Sequence, residues 1–330
     1  MVSTLLLTGT NGFVGFKVLL NALEQGYTVR AAIRSMSKSD FLSKHPKVQA
    51  LNASDRLSFV EVPDITNPKA YEEAVKDVTH VIHLASPLPS PFLDPQTGIY
   101  EPNVKSVTSM LQAASQEPAL KKLVIASSVF ANIPFPPNAD KITSESRLPD
   151  VPGPFDSMIP AYSAGKIGAL NATERFIKDQ NPSFDVVNVF PGFVFGTDDR
   201  ALKVEDIMAS TNRILLGVVT GQTAPGPMPA GACHVHDVAT LFLRALNDGT
   251  PKNIGATVPH VFNEAWDVVK ERYPEAVKNG TFAQGNQDTI PINWDAHQTE
   301  VDFGLKFKTW RDMVVDVAGQ YLELSGKAKE

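Results

Sequence analysis

The chain has 330 residues, 43% of them hydrophobic and 20% charged, and its formal net charge is −6. This composition predicts a globular protein with a large buried core, without the basic clusters that nucleic acid requires or the run of roughly 18 apolar residues that a membrane span requires. The single cysteine, Cys233, excludes an internal disulfide and a multi-thiolate metal site.

The N-terminal half of the chain alternates short apolar runs with amphipathic stretches of helical length. Its apolar start has no preceding basic region, so we expect a cytoplasmic protein. The predicted strands are Thr4–Thr8, Thr28–Ile33, Leu57–Val60, His80–Leu84, Lys122–Ser127 and Asp185–Phe190. The predicted helices are Gly12–Gln25, Pro68–Lys76, Val104–Ser115 and Ala161–Asp179. Strands that are apolar on both faces and separated by helices predict an α/β fold with a doubly wound parallel sheet, the Rossmann fold, which binds ligands at the carboxyl ends of its strands.

The C-terminal half is less regular. Proline and glycine concentrate in Gly217–Ala232, which predicts a loop or a hairpin. Two histidines and an aspartate in Cys233–Asp237 are residue types that bind zinc, but we favour a strand-to-helix turn in which Asp237 caps the helix, and we predict no metal site. Further helices are predicted at Asp237–Leu246, Phe262–Arg272 and Trp310–Leu324.

A glycine-rich segment follows the first predicted strand and opens the first predicted helix. Gly9 permits a tight turn, Gly12 lets the backbone approach a diphosphate, and Gly15 allows helix and strand to pack closely. The helix N-terminus adds N–H groups and a partial positive charge. An ordinary glycine turn would not need this combination. We therefore predict a dinucleotide site formed by Thr8, Gly9, Asn11, Gly12, Phe13, Val14 and Gly15.

The end of the second predicted strand indicates which dinucleotide binds. Proteins that bind NAD usually carry an acidic residue there for the ribose hydroxyls, whereas this chain carries Arg34, with Lys38 four residues later. A guanidinium and an ammonium suit a 2′-phosphate, so we predict NADPH/NADP+; the alternative is that both cations are solvated surface residues. Further cofactor contacts are expected at the ends of the third and fourth strands, from Asp64, Ile65, Leu84, Ala85 and Ser86.

A tyrosine and a lysine lie four residues apart near the start of a predicted helix. This spacing places Tyr162 and Lys166 on one helical face. Carbonyl reduction needs a proton donor, and a phenol donates well when a nearby ammonium stabilises its phenolate. Ser128, at the end of the fifth strand, is suited to orient the carbonyl oxygen. An isolated pair would more simply be an exposed helix pair, but together with the glycine-rich segment these residues predict a catalytic site.

These motifs occur in the order found in a known family. TGTNGFVG, VPDIT, VIHLASP, VIASS, AYSAGK and VFPGFVFG together resemble the extended short-chain dehydrogenase/reductases, within the NAD-dependent epimerase/dehydratase superfamily. The similarity is closest to yeast-type methylglyoxal/isovaleraldehyde reductases, fungal aldehyde and ketone reductases and dihydroflavonol reductase-like proteins. The resemblance implies that Ser128 orients the carbonyl, that Tyr162 donates the proton, and that Lys166 lowers the tyrosine pKa and binds the nicotinamide ribose. Ser127 is the competing serine.

The resemblance also implies further contacts and a substrate class. Backbone contacts with the nicotinamide are implied for Pro191, Gly192 and Val194. The segment after Ser128 is more apolar than in plant flavonoid reductases, and Asn132 lies one residue from their hydroxyl-binding asparagine. We therefore expect a small apolar aldehyde or ketone, and the candidate pocket residues are Phe92, Phe130, Asn132 and Phe193. The family includes monomers and homodimers, so both states stay open.

Together these observations predict an NADPH-dependent carbonyl reductase. We expect an NADP-binding domain over residues 1–191, to which residues 232–250 return, and a smaller substrate-binding subdomain from residues 192–231 and 251–330. Two other functions stay open. One is a nucleotide-sugar epimerase or dehydratase, which usually prefers NAD and is disfavoured by Arg34; the other is a non-catalytic NADP-sensing regulatory protein, which is disfavoured by the tyrosine–lysine pair.

Overall fold

A computed structural model describes residues 4–138 and 140–327. The chain divides into two compact units. The N-terminal unit runs up to Pro136 and includes Ser144–Phe190 and Ala239–Ile254, and the C-terminal unit contains the segments between them and the chain from Gly255 onward. Within the described part of the chain, no helix combines the length and the apolar character needed to cross a membrane.

The first six strands alternate with six helices. The strands are β1 (Thr4–Thr8), β2 (Thr28–Ile33), β3 (Leu57–Glu61), β4 (His80–His83), β5 (Lys122–Ala126) and β6 (Asp185–Pro191). The helices are α1 (Phe13–Glu24), α2 (Ser39–Ser43), α3 (Pro46–Gln49), α4 (Glu72–Val75), α5 (Glu101–Ala114) and α6 (Met158–Gln180).

The remaining elements are shorter, apart from the last helix. The strands are β7 (Phe193–Phe195), β8 (Met228–Pro229), β9 (Ala232–His234), β10 (Asn253–Ala256) and β11 (Thr289–Ile290). The helices are α7 (Val204–Met208), α8 (Asn212–Val219), α9 (Val235–Arg244), α10 (Glu264–Arg272), α11 (Pro274–Lys278), α12 (His297–Phe303) and α13 (Trp310–Leu324).

Seven strands form one sheet in the order β10-β6-β5-β4-β1-β2-β3. The pairings among β1 to β6 are all parallel. The chain starts in the middle, builds outward to β3 and then returns to β4 on the other side of β1. Because ligands of such sheets bind where the strand order reverses, the carboxyl ends of β1 and β4 are the expected site. The predicted doubly wound α/β fold is confirmed.

The sheet is covered on both faces because its central strands carry apolar residues on both faces. Leu6 of β1 belongs to a buried cluster with Val107, Met110 and Leu111 of α5. Leu5 and Leu7 point to the opposite face, since side chains alternate along a strand, and both are fully buried. Burial on the two faces is what selects a parallel, helix-covered sheet over an open antiparallel one.

The predicted strands agree with the structure to within a residue, and one predicted helix takes a different helical form. The segment predicted as a helix over Pro68–Lys76 is a 3-10 turn, Pro68–Tyr71, followed by the single turn of α4. The Asn67 side chain accepts a hydrogen bond from the Lys69 N–H at 3.0 Å and so favours the tight turn. A segment this short gains too little from helix propagation to extend as a regular helix.

The proline- and glycine-rich segment agrees with the prediction in part. Its first residues belong to α8, and the rest of Gly217–Ala232, predicted as a loop or a hairpin, is mostly a loop and forms no hairpin. The two short strands in this segment pair in parallel with distant partners: β8 with β11 and β9 with β7. Local sequence cannot reveal such pairing, because the partner strands lie tens of residues away.

Candidate active site

Ser128 lies where the chain leaves β5. It is the N-cap of a short 3-10 turn, Val129–Ala131, and its Oγ accepts a hydrogen bond from the Phe130 N–H at 3.3 Å. The side chain is buried, whereas Ser127, the competing serine, is partly exposed. The cap holds the Ser128 hydroxyl at the carboxyl edge of the sheet, where the fold predicts ligand binding.

Tyr162 and Lys166 lie one turn apart on α6 and share a face. The Lys166 Nζ is 5.6 Å from the centroid of the Tyr162 ring. The Phe130 ring packs edge-on against Tyr162, with 5.7 Å between centroids. Burial raises the pKa of Tyr162 to about 12, and a hydrogen bond with Ser128 acts in the opposite direction. The structure therefore brings Ser128, Tyr162 and Lys166 together.

The Tyr162 phenol is not acidic in this structure. Desolvation dominates its pKa, so Tyr162 keeps its proton at neutral pH and is available as a donor. The lowering of this pKa by Lys166 stays a prediction. Burial also lowers the pKa of Lys166 to about 8. The ammonium donates to the Ser86 Oγ at 3.0 Å and to the Ala126 carbonyl at 3.3 Å.

The glycine-rich segment forms a cradle between β1 and α1. A Cβ on Gly15 would lie 2.0 Å from the Gly9 carbonyl oxygen, so only glycine permits this approach. Gly9 has φ +74, which lies in the left-handed region. Gly12 is the exposed N-cap of α1 and, as a glycine, makes no side-chain cap bond to this helix end. The end of α1 is thus shaped for an anion, and these residues fit a dinucleotide diphosphate.

Arg34 and Lys38 lie on the exposed turn that follows β2. Within residues 4–138 and 140–327 neither cation forms a salt bridge. The turn is held by a hydrogen bond from the Met36 N–H to the Glu61 carboxylate at 2.8 Å, and the hydroxyls of Ser35 and Ser37 are 3.0 Å apart. The two cations therefore remain available to an anionic group of a ligand.

Asp64 and Ile65 lie beyond β3, the neighbouring strand. The Asp64 Oδ1 accepts hydrogen bonds from the N–H and the hydroxyl of Thr66, and these bonds lower the pKa of the carboxyl. Ile65 packs against the buried cluster around α5. Both residues lie on the carboxyl side of the sheet, beside the turn that carries Arg34.

A comparison with protein families matches residues 5–258 to the NAD dependent epimerase/dehydratase family. The chain belongs to this family. Ketoreductase CTB6 of Cercospora beticola is 34% identical over 349 residues, which cover 98% of this chain and 96% of the relative. NAD-dependent epimerase/dehydratase ALT6 of Alternaria alternata is 36% identical and covers 92% of this chain and 93% of its own length.

Solved structures show the same fold. Yeast methylglyoxal/isovaleraldehyde reductase Gre2, complexed with NADPH, superimposes with a TM-score of 0.81 at 22% identity and covers 98% of this chain and 99% of its own. Vestitone reductase from alfalfa gives a TM-score of 0.72 at 22% identity, with 98% and 99% covered. The predicted family, the oxidoreductase class and the nicotinamide cofactor are confirmed by the family match and the names of the relatives.

A buried polar network that the sequence patterns did not predict lies beneath this site. The Thr8 Oγ1 accepts hydrogen bonds from the Leu84 and Ala85 N–H groups, each at 3.0 Å. It therefore donates to the His83 Nδ1, also at 3.0 Å. The His83 Nε2–H donates to the Ser106 Oγ at 3.0 Å, and Ser106 donates to the Ala85 carbonyl at 2.8 Å.

This network ties β1, β4 and α5 to the loop that follows β4. Every donor and acceptor in it has a partner, which fixes one tautomer of the imidazole. Burial lowers the pKa of His83 to about 3, so the ring stays neutral. A histidine at the end of a buried strand was the available indication in the sequence, since a buried imidazole requires partners.

Four predicted site residues lie in the C-terminal unit and are described within it. Gly192 donates its N–H to the Ala256 carbonyl at 2.9 Å, and Phe193 donates to the Gly231 carbonyl at 2.8 Å. Val194 pairs with Cys233 between β7 and β9. Pro191, Phe193 and Val194 are partly exposed. Their contacts with the nicotinamide and the substrate stay predictions.

The candidate pocket residues of the N-terminal unit differ in environment. Phe92 is 92% exposed, so it is not part of a packed pocket wall in this structure. Phe130 is buried against Tyr162. Asn132 is 1% exposed, and its Nδ2 donates to the Ser146 carbonyl at 2.6 Å. Its role in substrate recognition stays a prediction.

The predicted helix cap at Asp237 is wrong. The helix α9 begins at Val235, so Asp237 lies inside its first turn. Its Oδ2 accepts a hydrogen bond from the Lys308 N–H at 2.8 Å instead. The neighbouring His234 pairs with Asp316 at 2.9 Å through its Nε2. Both side chains are thus committed to tertiary contacts that join the start of α9 to the C-terminal part of the chain.

Proposed function

We propose that this chain is an NADPH-dependent carbonyl reductase that acts on an apolar ketone or aldehyde. The observation that carries the proposal is the convergence of Ser128, Tyr162 and Lys166 on the carboxyl edge of the sheet, next to the glycine-rich cradle. These are a hydroxyl that can orient a carbonyl, a protonated phenol and an ammonium. They supply the groups that proton transfer to a carbonyl oxygen requires.

The cofactor would be held by the cradle and the exposed turn after β2. Gly9, Gly12 and the start of α1 would bind the diphosphate, and Arg34 and Lys38 would bind the 2′-phosphate. When bound, NADPH supplies the hydride that reduces the carbonyl carbon. The NADPH named with the yeast Gre2 structure supports this choice, although that protein is only 22% identical to this chain.

The protein's own residues would manage the proton and the orientation of the substrate. The Tyr162 hydroxyl donates its proton to the carbonyl oxygen, and the Ser128 hydroxyl donates a hydrogen bond to the same oxygen. The Lys166 ammonium stabilises the phenolate that remains on Tyr162. Phe130, packed against the tyrosine ring, excludes water from one side of the phenol. The ketoreductase names of the relatives support a ketone substrate.

The decisive experiment is NADPH consumption with a panel of aldehydes, diketones and bulky ketones. The wild-type chain is expected to oxidise NADPH with at least one apolar ketone. Tyr162→Phe should bind NADPH with unchanged affinity but lose about 100-fold to 10,000-fold in kcat, because the general acid is removed. Tyr27→Phe, the same change at a partly exposed tyrosine just before β2, is the matched control. Unchanged turnover of Tyr162→Phe would refute the mechanism.

The same assay separates the alternatives. A nucleotide-sugar epimerase or dehydratase would show no net NADPH consumption, because the hydride returns to the product. A regulatory protein would bind NADPH without turnover on any carbonyl compound.

Arg34 provides the test of cofactor choice. Arg34→Ala should raise the KM for NADPH by about 10-fold to 100-fold, the value of a charge-assisted hydrogen bond to a phosphate, and leave the KM for NADH unchanged. Lys44→Ala is the control, because Lys44 is an exposed cation that pairs with Asp40 at 2.8 Å. Equal effects on the two cofactors would contradict the 2′-phosphate assignment.

A further inference from the structure

We propose that Ser86 is a positioning residue that holds the Lys166 ammonium in the active site, and that Asn103 in turn orients the Ser86 hydroxyl. The inference deepens the proposed function and rests on it for its catalytic meaning. Its structural part concerns only hydrogen bonds of the N-terminal unit.

Two hydrogen bonds determine the orientation of the Asn103 amide. Asn103 is 1% exposed on the first turn of α5. Its Nδ2 donates to the Ile99 carbonyl at 2.8 Å and to the Pro87 carbonyl at 3.2 Å. Both hydrogens of the amide are therefore used, and a flipped amide would place its oxygen against two carbonyl oxygens. The Oδ1 atom must face the other way, toward Ser86.

The orientation of Asn103 determines the direction in which the Ser86 hydroxyl points. The Ser86 Oγ lies 2.5 Å from the Asn103 Oδ1, and since an amide oxygen only accepts, Ser86 must donate. Its lone pairs then face the Lys166 Nζ at 3.0 Å, and the ammonium donates to them. Without Asn103 the hydroxyl could rotate, and its hydrogen would then compete with the ammonium for the same direction.

The Lys166 ammonium has three hydrogens to donate, and two of them have acceptors in the protein. Lys166 is 5% exposed, so its charge needs acceptors from the protein. Two of its three hydrogens go to Ser86 and to the Ala126 carbonyl. The third remains for the cofactor ribose and the tyrosine. Because the Ser86 and Ala126 bonds come from the ends of β4 and β5, they fix the ammonium where those strands end.

The charged state of Lys166 depends on few neighbours. The titratable groups that face it are Tyr162 on its own helix and His83 on β4. Both are neutral near pH 7, because the pKa of Tyr162 is about 12 and that of His83 is about 3. No carboxylate is among the groups that shift its pKa, so burial alone lowers that pKa, to about 8. The hydrogen-bond acceptors then keep the ammonium charged. Removal of the Ser86 hydroxyl should therefore lower the pKa of Lys166 measurably.

The test measures the pKa of Lys166 directly in the full chain. Lysine is labelled with 13C at Cε, the Lys166 resonance is assigned with Lys166→Arg, and its chemical shift is followed with pH in protein without added NADPH. In Ser86→Ala the pKa should fall by about one pH unit, because a hydrogen bond to the charged form is lost. Ser86→Thr, which keeps the hydroxyl, should restore it. Ser90→Ala in the same loop should leave it unchanged.

The role of Asn103 is tested by a double-mutant cycle. Asn103→Ala should lower the Lys166 pKa by less than Ser86→Ala, and the double variant should match Ser86→Ala, because Asn103 acts only through the hydroxyl. Additive shifts would overturn the Asn103 assignment. An unchanged Lys166 pKa in Ser86→Ala would overturn the proposal as a whole. Thermal melts of each variant show that it is folded.

The pH dependence of kcat connects the pKa of Lys166 to catalysis. The alkaline limb of the kcat profile should move to lower pH by the same amount as the Lys166 pKa in Ser86→Ala. If the Lys166 pKa falls in Ser86→Ala but the wild-type chain reduces no carbonyl compound, the proposed function is refuted and the positioning role of Ser86 stands. If the Lys166 pKa falls but the alkaline limb of the kcat profile does not move, the positioning has no catalytic role.

Discussion

A polar network in the N-terminal unit and an aromatic cluster in the C-terminal unit treat their buried polar groups differently. In the N-terminal unit, Thr8, His83 and Lys166 are buried and hydrogen-bonded to loops at the carboxyl edge of the sheet. In the C-terminal unit, His260 and Trp310 are buried in an aromatic cluster, and neither His260 Nε2 nor Trp310 Nε1 has a hydrogen-bond partner among the described residues. The first arrangement positions loops; the second fills space.

The aromatic cluster of the C-terminal unit is formed by rings from separate segments. The His260 and Phe262 rings meet edge-on with 4.3 Å between centroids, and the His260 and Trp310 rings are 4.6 Å apart. Phe195 lies 5.3 Å from Trp310. Such contacts stabilise through apolar area and ring geometry. A buried polar group contributes only when its partners are in place, so the polar network carries more information about function.

The largest expected effect lies in the C-terminal unit. Trp310→Ala removes the ring that contacts three other aromatic groups and should lower the free energy of unfolding by about 3–5 kcal/mol. Trp310→Phe should lose less than half of that, because the indole N–H makes no hydrogen bond to lose. Urea denaturation followed by circular dichroism measures both. Equal losses would mean that the indole N–H has a partner, and the comparison of the two units would fail.

A smaller effect of opposite sign is expected at Lys166. The pKa of this lysine is about 8 in the folded chain and 10.5 in the unfolded chain. Below pH 8 both states are protonated and burial of the charge destabilises the fold; above the unfolded pKa both are neutral and the penalty disappears. Lys166→Met should therefore raise the free energy of unfolding by about 3 kcal/mol at pH 7, and less as the pH rises toward 10.5.

The same variant should lose reductase activity, so stability and activity would change in opposite directions. Lys121→Met is the control, because Lys121 is an exposed lysine of the same unit. A variant that is less stable at pH 7 than the wild type would show that the hydrogen bonds of the ammonium outweigh its desolvation.

Two of the buried histidines, one in each unit, sharpen the comparison at acid pH. Burial lowers the pKa of His83 to about 3 and that of His260 to about 4, from 6.5 in the unfolded chain. Only the unfolded chain takes up these protons as the pH falls below 6.5, so each histidine makes the fold less stable in acid. His83→Gln and His260→Gln should each reduce the stability lost between pH 7 and pH 5 by about 2 kcal/mol.

The cost of these substitutions at pH 7 should differ. His83 has two side-chain partners, whereas His260 accepts one bond, from the Gly231 N–H at 3.1 Å. His83→Gln should therefore destabilise the chain more than His260→Gln, as guanidinium unfolding at pH 7 will show. His297→Gln, at an exposed position, should change neither the slope nor the midpoint of the guanidinium unfolding curve. A larger cost at His260 would contradict the view of that unit as packing.

Much of the site could be predicted because its geometry is local. The spacing of Gly9, Gly12 and Gly15 encodes a strand, a turn and a helix in succession, and the four-residue spacing of Tyr162 and Lys166 encodes a shared helical face. Ser128 could be placed because the strand end was recognisable. These features depend on neighbours within a few residues, where backbone geometry determines which side chains lie together.

The residues that support the site could not be predicted in the same way. His83, Asn103 and Ser106 support the carboxyl edge of the sheet from a strand and a helix that are distant in sequence from the glycine-rich segment. The error at Asp237 has the same origin, because its partner Lys308 is 71 residues away. Hydrogen-bonding capacity is visible in a residue type, but the partner depends on the fold.

The amino-acid sequence by itself determined the parallel sheet, the dinucleotide cradle and the alignment of the tyrosine and the lysine, because periodicity and glycine spacing act through local backbone conformation. Only the tertiary structure decided which way the Ser86 hydroxyl points, that the Tyr162 phenol is desolvated, and that short strands of the C-terminal unit pair with distant partners. Burial and hydrogen-bond direction belong to the assembled fold, since both depend on atoms that the chain brings together from far apart.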